Sequence, residues 1–261
     1  FNPYHWLLSY PAKLHSSALR SLADDFRLNG LLAHSLIERF YEWAQGLSMS
    51  DQAFTEWFNP AFDQLINEEG AVYLMPGRRL DLENLRDKLK RAMNELRSLI
   101  ARFGVVKVMP ELSLSGHFKG GVLTGFADLV LAKKDGSQAI VDIKSRGKNH
   151  RKRLEENNHL QLALYAELIR QTTQKWPAVA YFLVDNAKLL ARDDHWFNDI
   201  QVVQSKTEAS TPDVWRNFLV SWKWRQDQFD KKFFEVVLND EDADEHSAVP
   251  EDGLKHELLD K

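Results

Sequence analysis

The segment GFADLVLAKKDGSQAIVDIKS, residues 125–145, carries charge where a core strand should be apolar. Asp142 and Lys144 interrupt the run AIVDIK, and two residues apart on a strand they project from the same face. A tight hairpin at Asp135-Gly136 would fold the preceding run back and bring Asp128 to within about one residue of Asp142 across the ladder. One end of a hairpin then presents two carboxylates and an ammonium. Adjacent carboxylates oppose each other's ionisation, so the arrangement calls for a cation between them. Oxygen ligands suit Mg²⁺ or Mn²⁺, an ion of that kind polarises a phosphoryl oxygen and lowers the pKa of bound water, and Lys144 could position or deprotonate that water or offset the charge of a pentacovalent phosphate. Asp-x-Lys alone is common by chance, and the hairpin context leaves the three residues about equally readable as a structural ion pair at a sheet edge.

The elements around this hairpin follow from periodicity. Leu28, Leu31, Leu32, Leu36, Phe40 and Trp43 recur at helical spacing and predict a helix over about 26–46. A second helix is expected over 82–103, where Leu85, Leu89, Met93, Leu96 and Ile100 form a stripe opposite charged residues. Between Val105 and Ser145 short β-rich runs broken by glycines predict three strands, the last two joined by the tight hairpin. A buried helix over 154–172, an interior strand over 178–184, an irregular stretch and a Trp-rich helix over 213–235 complete an α/β fold with a small mixed central sheet flanked by helices.

Composition bounds the chemistry. With 261 residues, 44% of them hydrophobic, the chain can bury a full core as one globular unit. It has no cysteine, which excludes disulfides, thiolate zinc sites, iron–sulfur clusters and cysteine nucleophiles. No apolar run is long enough for a membrane span and no signal peptide opens the chain, so a cytoplasmic protein without membrane attachment is expected. Residues 240–261 hold nine acidic residues and two lysines, a net of −7, so the remainder carries +3 although the whole is at −4. Hence the division into a domain over 1–239 with helical additions at both ends and an acidic, flexible tail over 240–261.

Taken together these residues resemble the PD-(D/E)XK nuclease superfamily. Asp128 in GFADLV resembles its first acid and Asp142-Ile143-Lys144 its (Asp/Glu)-x-Lys. QLALY resembles the Gln-x-x-x-Tyr helix of the RecB-like and AddB-like branch, which puts Gln161 and Tyr165 in those roles, and GLLAHSLIERF resembles its Gly-x-x-x-His-x-x-x-Glu helix, which puts His34 among the metal ligands. The resemblance implies a restriction-endonuclease-like core and metal-dependent hydrolysis of DNA phosphodiesters, with an exonuclease of repair, recombination or defence as the expected type. It implies Mg²⁺ or Mn²⁺ held by His34, Asp128, Asp142 and the Ile143 carbonyl, with Glu111 as an auxiliary acid. Some relatives hold an iron–sulfur cluster through four cysteines, which this chain cannot do. The opening stretch NPYHWLLSY resembles the one that begins this domain after a helicase-like region, so the chain is expected to be part of something longer and to work beside a helicase-like domain or subunit. A catalytically silent nuclease-fold module that binds DNA or a protein partner is the alternative, and RNA or nucleotide hydrolysis by the same site a third.

By itself a helical histidine such as His34 reads as a core residue, and only the motif reverses that. Arg146, Lys148, Arg151, Lys152 and Arg153 follow the catalytic strand as a basic loop suited to gripping DNA phosphates. Trp215, Phe218, Trp222, Phe229 and Phe233 sit at helical spacing and read as core. His5, His15, His117, His159 and His195 are given no role.

Overall fold

The computed structural model describes residues 25–43, 49–146, 148–192, 195–200, 202–207 and 209–232. The opening NPYHWLLSY, Phe233 and the acidic tail lie outside the described residues. Six helices and five strands are found among the described residues: α1 (Asp25–Trp43), α2 (Asp51–Glu68), a short 3₁₀ turn (Ala71–Leu74), α3 (Arg79–Arg102), β1 (Val105–Phe118), β2 (Gly121–Lys133), β3 (Gln138–Lys144), α4 (Lys148–Glu155), α5 (Leu160–Thr173), β4 (Ala178–Leu183), β5 (Lys188–Ala191) and α6 (Thr211–Asp230). The sheet runs in the order β1-β2-β3-β4-β5. Only the β3–β4 pair is parallel, so the sheet is mixed. No helix among the described residues is long and apolar enough to cross a membrane.

Alternating strand residues divide the interior in two. Leu129, Leu131, Val141, Ile143, Ala180 and Phe182 face α1, α2 and α3, whose Leu32, Leu36, Phe58, Leu89 and Leu96 close that layer. Val130, Ile140, Val179 and Tyr181 face α5, where Leu162, Ala166 and Leu168 meet them. The expected helix over 82–103 forms as α3, and α1 occupies most of 26–46. The β1–β2 turn, Lys119-Gly120, has both residues at positive φ (45° and 83°), the conformation of a two-residue hairpin loop.

Three readings are corrected and one helix is added. Helix α2 lies in a stretch to which the sequence reading assigned no element; Ser50 caps it by accepting from the Ala53 N–H (3.2 Å), and Phe54, Phe58, Phe62, Leu65 and Ile66 are buried on one face. That burial outweighs the interior Pro60, since a proline there costs about 3 kcal/mol. The helix over 154–172 is two helices, broken at Glu156–His159 where Asn157 turns to φ 57°. The basic residues after β3 are not a loop, since Lys148 to Arg153 lie on α4 and only Arg146 precedes it. The irregular stretch after β4 contains a fifth strand, whose four residues are too few to show a pattern.

Candidate active site

Two glycines set the distances at the carboxyl end of β3. A Cβ on Gly30 would come within 3.0 Å of Ser145 Oγ, so the absence of a side chain lets α1 cross closely there. One turn later His34 Nε2 lies 3.0 Å from the main-chain oxygen of Ile143. Its Nδ1 is 3.6 Å from Asp128 Oδ1 and 4.0 Å from Glu111 Oε1. On the other side of the sheet, a Cβ on Gly125 would meet Tyr165 Cε1 at 2.7 Å, so this glycine makes room for the α5 tyrosine ring.

The three acids share one row. Pro110 pairs with Leu129 and Leu112 with Ala127, which sets Glu111 opposite Asp128, while the pairing of Leu129 with Val141 continues to Asp128 opposite Asp142. Pairing of β2 with β3 ends there, and that of β1 with β2 is interrupted. Glu111 adopts φ 41°, a conformation uncommon outside glycine and concentrated at functional sites. The side-chain Oδ2 of Asp128 accepts the Ile143 N–H at 2.6 Å. Alternation also slips at this row, since Ala127 and Val130 pack in one layer and Leu129 in the other.

Asp142 is 1% exposed. Lys144 Nζ stands 3.0 Å from its Oδ2, yet neither carboxylate oxygen receives a well-directed hydrogen bond. Burial, and then the charge of Asp128, push the Asp142 carboxyl up to about 7. Burial likewise raises Asp128 to about 6, against the opposing Ile143 N–H and Lys144. Glu111 is raised by burial and by the Glu38 carboxylate. Burial lowers the pKa of His34 and favours the neutral imidazole, the form that ligates metals. Lys144 Nζ also donates to Gln161 Oε1 at 3.2 Å, and Gln161 Nε2 donates to the Tyr165 hydroxyl oxygen at 3.3 Å. Burial, first among its causes, raises the Tyr165 hydroxyl.

These donors fit a hard divalent cation. His34, Glu111 and Asp128 each offer a ligand atom within 4.8 Å of the others. His34 Nε2 donates to the Ile143 oxygen at 3.0 Å, which in the neutral ring leaves Nδ1, the nitrogen turned to Asp128 and Glu111, free to ligate. The oxygens of Asp142, buried and met only by Lys144, complete a nitrogen and oxygen set suited to Mg²⁺ or Mn²⁺.

Of the expected residues, His34, Glu111, Asp128, Asp142, Ile143, Lys144, Gln161 and Tyr165 come together. The basic residues stand apart: Arg146 ion-pairs with Asp185 (3.7 Å), Arg151 with Glu155 (3.3 Å) and Lys152 with Glu156 (3.9 Å), all three basic side chains at least half exposed. Glu38 was not singled out, although it stands in the Gly-x-x-x-His-x-x-x-Glu pattern, and its charge reaches Glu111.

An acid on one strand, Asp-x-Lys on the next, and histidine and glutamine brought in by flanking helices are the marks of a nuclease core. The chain belongs to the PD-(D/E)XK nuclease superfamily, whose family model matches residues 2–248. Among solved structures it is similar to a candidate exonuclease from Eubacterium rectale, with 12% identity and a TM-score of 0.42 over 76% of this chain and 68% of that one. It is also similar to SSO0001, with 14% identity and a TM-score of 0.25 over 73% of this chain and 84% of that one. At these values neither likeness bears on activity. A comparison with curated proteins finds no match.

Proposed function

We propose that this chain is a divalent-metal-dependent deoxyribonuclease of the RecB-like branch, an exonuclease of DNA repair, recombination or defence. One observation carries the reading: a buried carboxylate, Asp142, whose charge is met only by Lys144 at 3.0 Å, stands beside a second acid and a neutral imidazole. Buried charge of this kind is expensive unless paired or metal-bound. Mg²⁺ or Mn²⁺ held by His34, Asp128, Asp142 and the Ile143 carbonyl, with Glu111 as auxiliary, would polarise a phosphoryl oxygen and lower the pKa of a bound water.

The chain's own groups supply the rest. Asp142 and Gln161 hold the Lys144 ammonium from two sides, leaving a third N–H for a phosphoryl oxygen, so electrostatic stabilisation is its role in this reading. Tyr165, seated over Gly125, fixes the amide of Gln161 and through it the lysine. The Ile143 N–H holds Asp128 Oδ2, which leaves Oδ1 turned to His34. Arg146, Lys148, Arg151, Lys152 and Arg153 grip backbone phosphates. The same reading takes residues 1–239 as the nuclease domain and 240–261 as a solvated acidic tail, in a cytoplasmic protein working with a helicase-like domain or subunit.

The test compares linear with covalently closed DNA in Mg²⁺, Mn²⁺ and EDTA. Linear DNA is degraded in either metal, closed circles are spared and EDTA stops the reaction. Cutting of circles overturns the exonuclease type, and cutting in EDTA overturns the metal. Failure to cut DNA under all conditions leaves the nuclease-fold binding module.

A further inference from the structure

Beyond the row of acids, β1 and β2 continue as a two-stranded arm from Leu112 paired with Ala127 to Phe118 paired with Gly121, whereas β3 pairs no further along β2 than Leu129. One face of the arm is anchored. Leu114 is buried there, Gly125 lies under Tyr165, and a Cβ on Gly116 would meet Gln171 Oε1 at 2.5 Å. Gln171 accepts the His117 N–H (2.9 Å) and donates to the His117 carbonyl (3.0 Å), as a neighbouring strand would. Among the described residues the opposite face is open. Strand alternation places Ser113, Ser115 and His117 of β1 beside their partners Phe126, Thr124 and Val122 of β2, and all six are exposed.

We propose that this face is a track for single-stranded nucleic acid and that Phe126 is its base-stacking platform, the inference resting on the nuclease reading above. An exposed phenylalanine is ordinary in isolation. Phe126 differs in its place: it is 60% exposed, yet it stands two residues before Asp128, about 7 Å along the strand. A nucleotide whose phosphate reaches the acids sets its base at that distance. The face carries no carboxylate to repel a phosphodiester chain, its serines and threonine offer donors to phosphates, and Lys119 stands at the tip. An aromatic ring stacks on any unpaired base, so the contact discriminates by strandedness rather than sequence.

Binding is measured in EDTA, by fluorescence anisotropy, so that it is independent of cleavage. The probes are a labelled single strand of about twelve nucleotides, the same strand made abasic, and a blunt duplex. Phe126→Ala should weaken single-strand binding about 5- to 150-fold and leave abasic and duplex binding unchanged, while Phe126→Trp retains the parental affinity. Equal losses on all three probes, or no loss on the single strand, overturn the proposal whether or not the protein cuts DNA. A loss confined to the single strand in a protein that never cuts DNA sustains the track and removes the nuclease reading. An unchanged melting temperature of Phe126→Ala excludes misfolding as the cause of a loss.

Discussion

Two polar clusters inside this molecule show opposite economies. At the junction of α4 and α5, Arg192 donates to the carbonyls of Leu154 and Ala209 and to Asn157 Oδ1, and Asn157 Nδ2 donates to Ser205 and Thr207. Its incompletely satisfied member, His159, is held neutral, burial pushing its pKa down to about 3. At the end of β3 the acids are raised, the backbone at Glu111 is in a left-handed conformation, and buried Asp142 has one ammonium, Lys144, as its partner. The first cluster ties a break between helices to the 205–209 segment. The second carries a residual demand for positive charge. Polar groups buried for structure find protein partners, and buried groups that lack them mark a site completed by something else.

The hardest test of that contrast is Asp142→Ala. If the demand is for a metal, the variant binds Mn²⁺ more weakly by calorimetry, loses cleavage by orders of magnitude, and in EDTA melts no lower than the parent because repulsion from Asp128 is gone. Parental cleavage with a lowered melting temperature would instead make the acid a structural partner of Lys144. Lys144→Ala comes next: Mn²⁺ binding stays near parental while single-turnover cleavage falls about 10²- to 10⁴-fold, the range for a group acting on the transition state.

The first cluster was nearly invisible in the sequence and the second largely legible. Asp142 and Lys144 announce themselves because charge inside AIVDIK contradicts a core strand, and His34, Gln161 and Tyr165 sit at helical spacing in motifs. The site that assembles adds what spacing cannot express: the positive φ of Glu111, the register that aligns three acids, and the approaches allowed by Gly30 and Gly125. The break at Asn157 escaped because apolar periodicity runs through it and its partners, Arg192, Ser205 and Thr207, are 35 to 50 residues away. Helix α2, in a stretch to which no element was assigned, was legible in the four-residue spacing of Phe54, Phe58 and Phe62.

A pH series sharpens the comparison in the metal-free protein. Asp142 and Asp128 are raised above their unfolded values, so between about pH 4 and pH 7 the folded state holds protons that the unfolded chain has released. Stability from these groups is present at low pH and lost as pH rises through the window. His34 and His159, both lowered, act in the opposite sense below about pH 6.5, so the parent's own profile mixes the two. The difference isolates the acid. In EDTA, Asp142→Asn should gain on the parent as pH rises from 4 to 7 in urea melts, by at most about 4 kcal/mol. Mn²⁺ should close the gap by stabilising the parent, and a difference flat in pH would remove the raised carboxylate from the account.

The smallest effect tests the satisfied cluster. Arg192→Leu keeps bulk at a half-buried position but removes the donors that occupy Asn157 Oδ1 and two carbonyls. Loss of hydrogen bonds from a charged group, with acceptors left behind, costs about 1 to 3 kcal/mol, water at the exposed side holding the figure down. The α4–α5 junction should loosen and show as faster amide exchange around residues 154–160. Mn²⁺ affinity and single-turnover cleavage should remain parental, because none of these atoms reaches Asp128, Asp142 or Lys144 by a direct contact in the structure. If cleavage falls with Arg192 while the melting temperature holds, the junction is coupled to the site through α5, which carries Gln161 and Tyr165, and the division between a structural and a functional cluster fails.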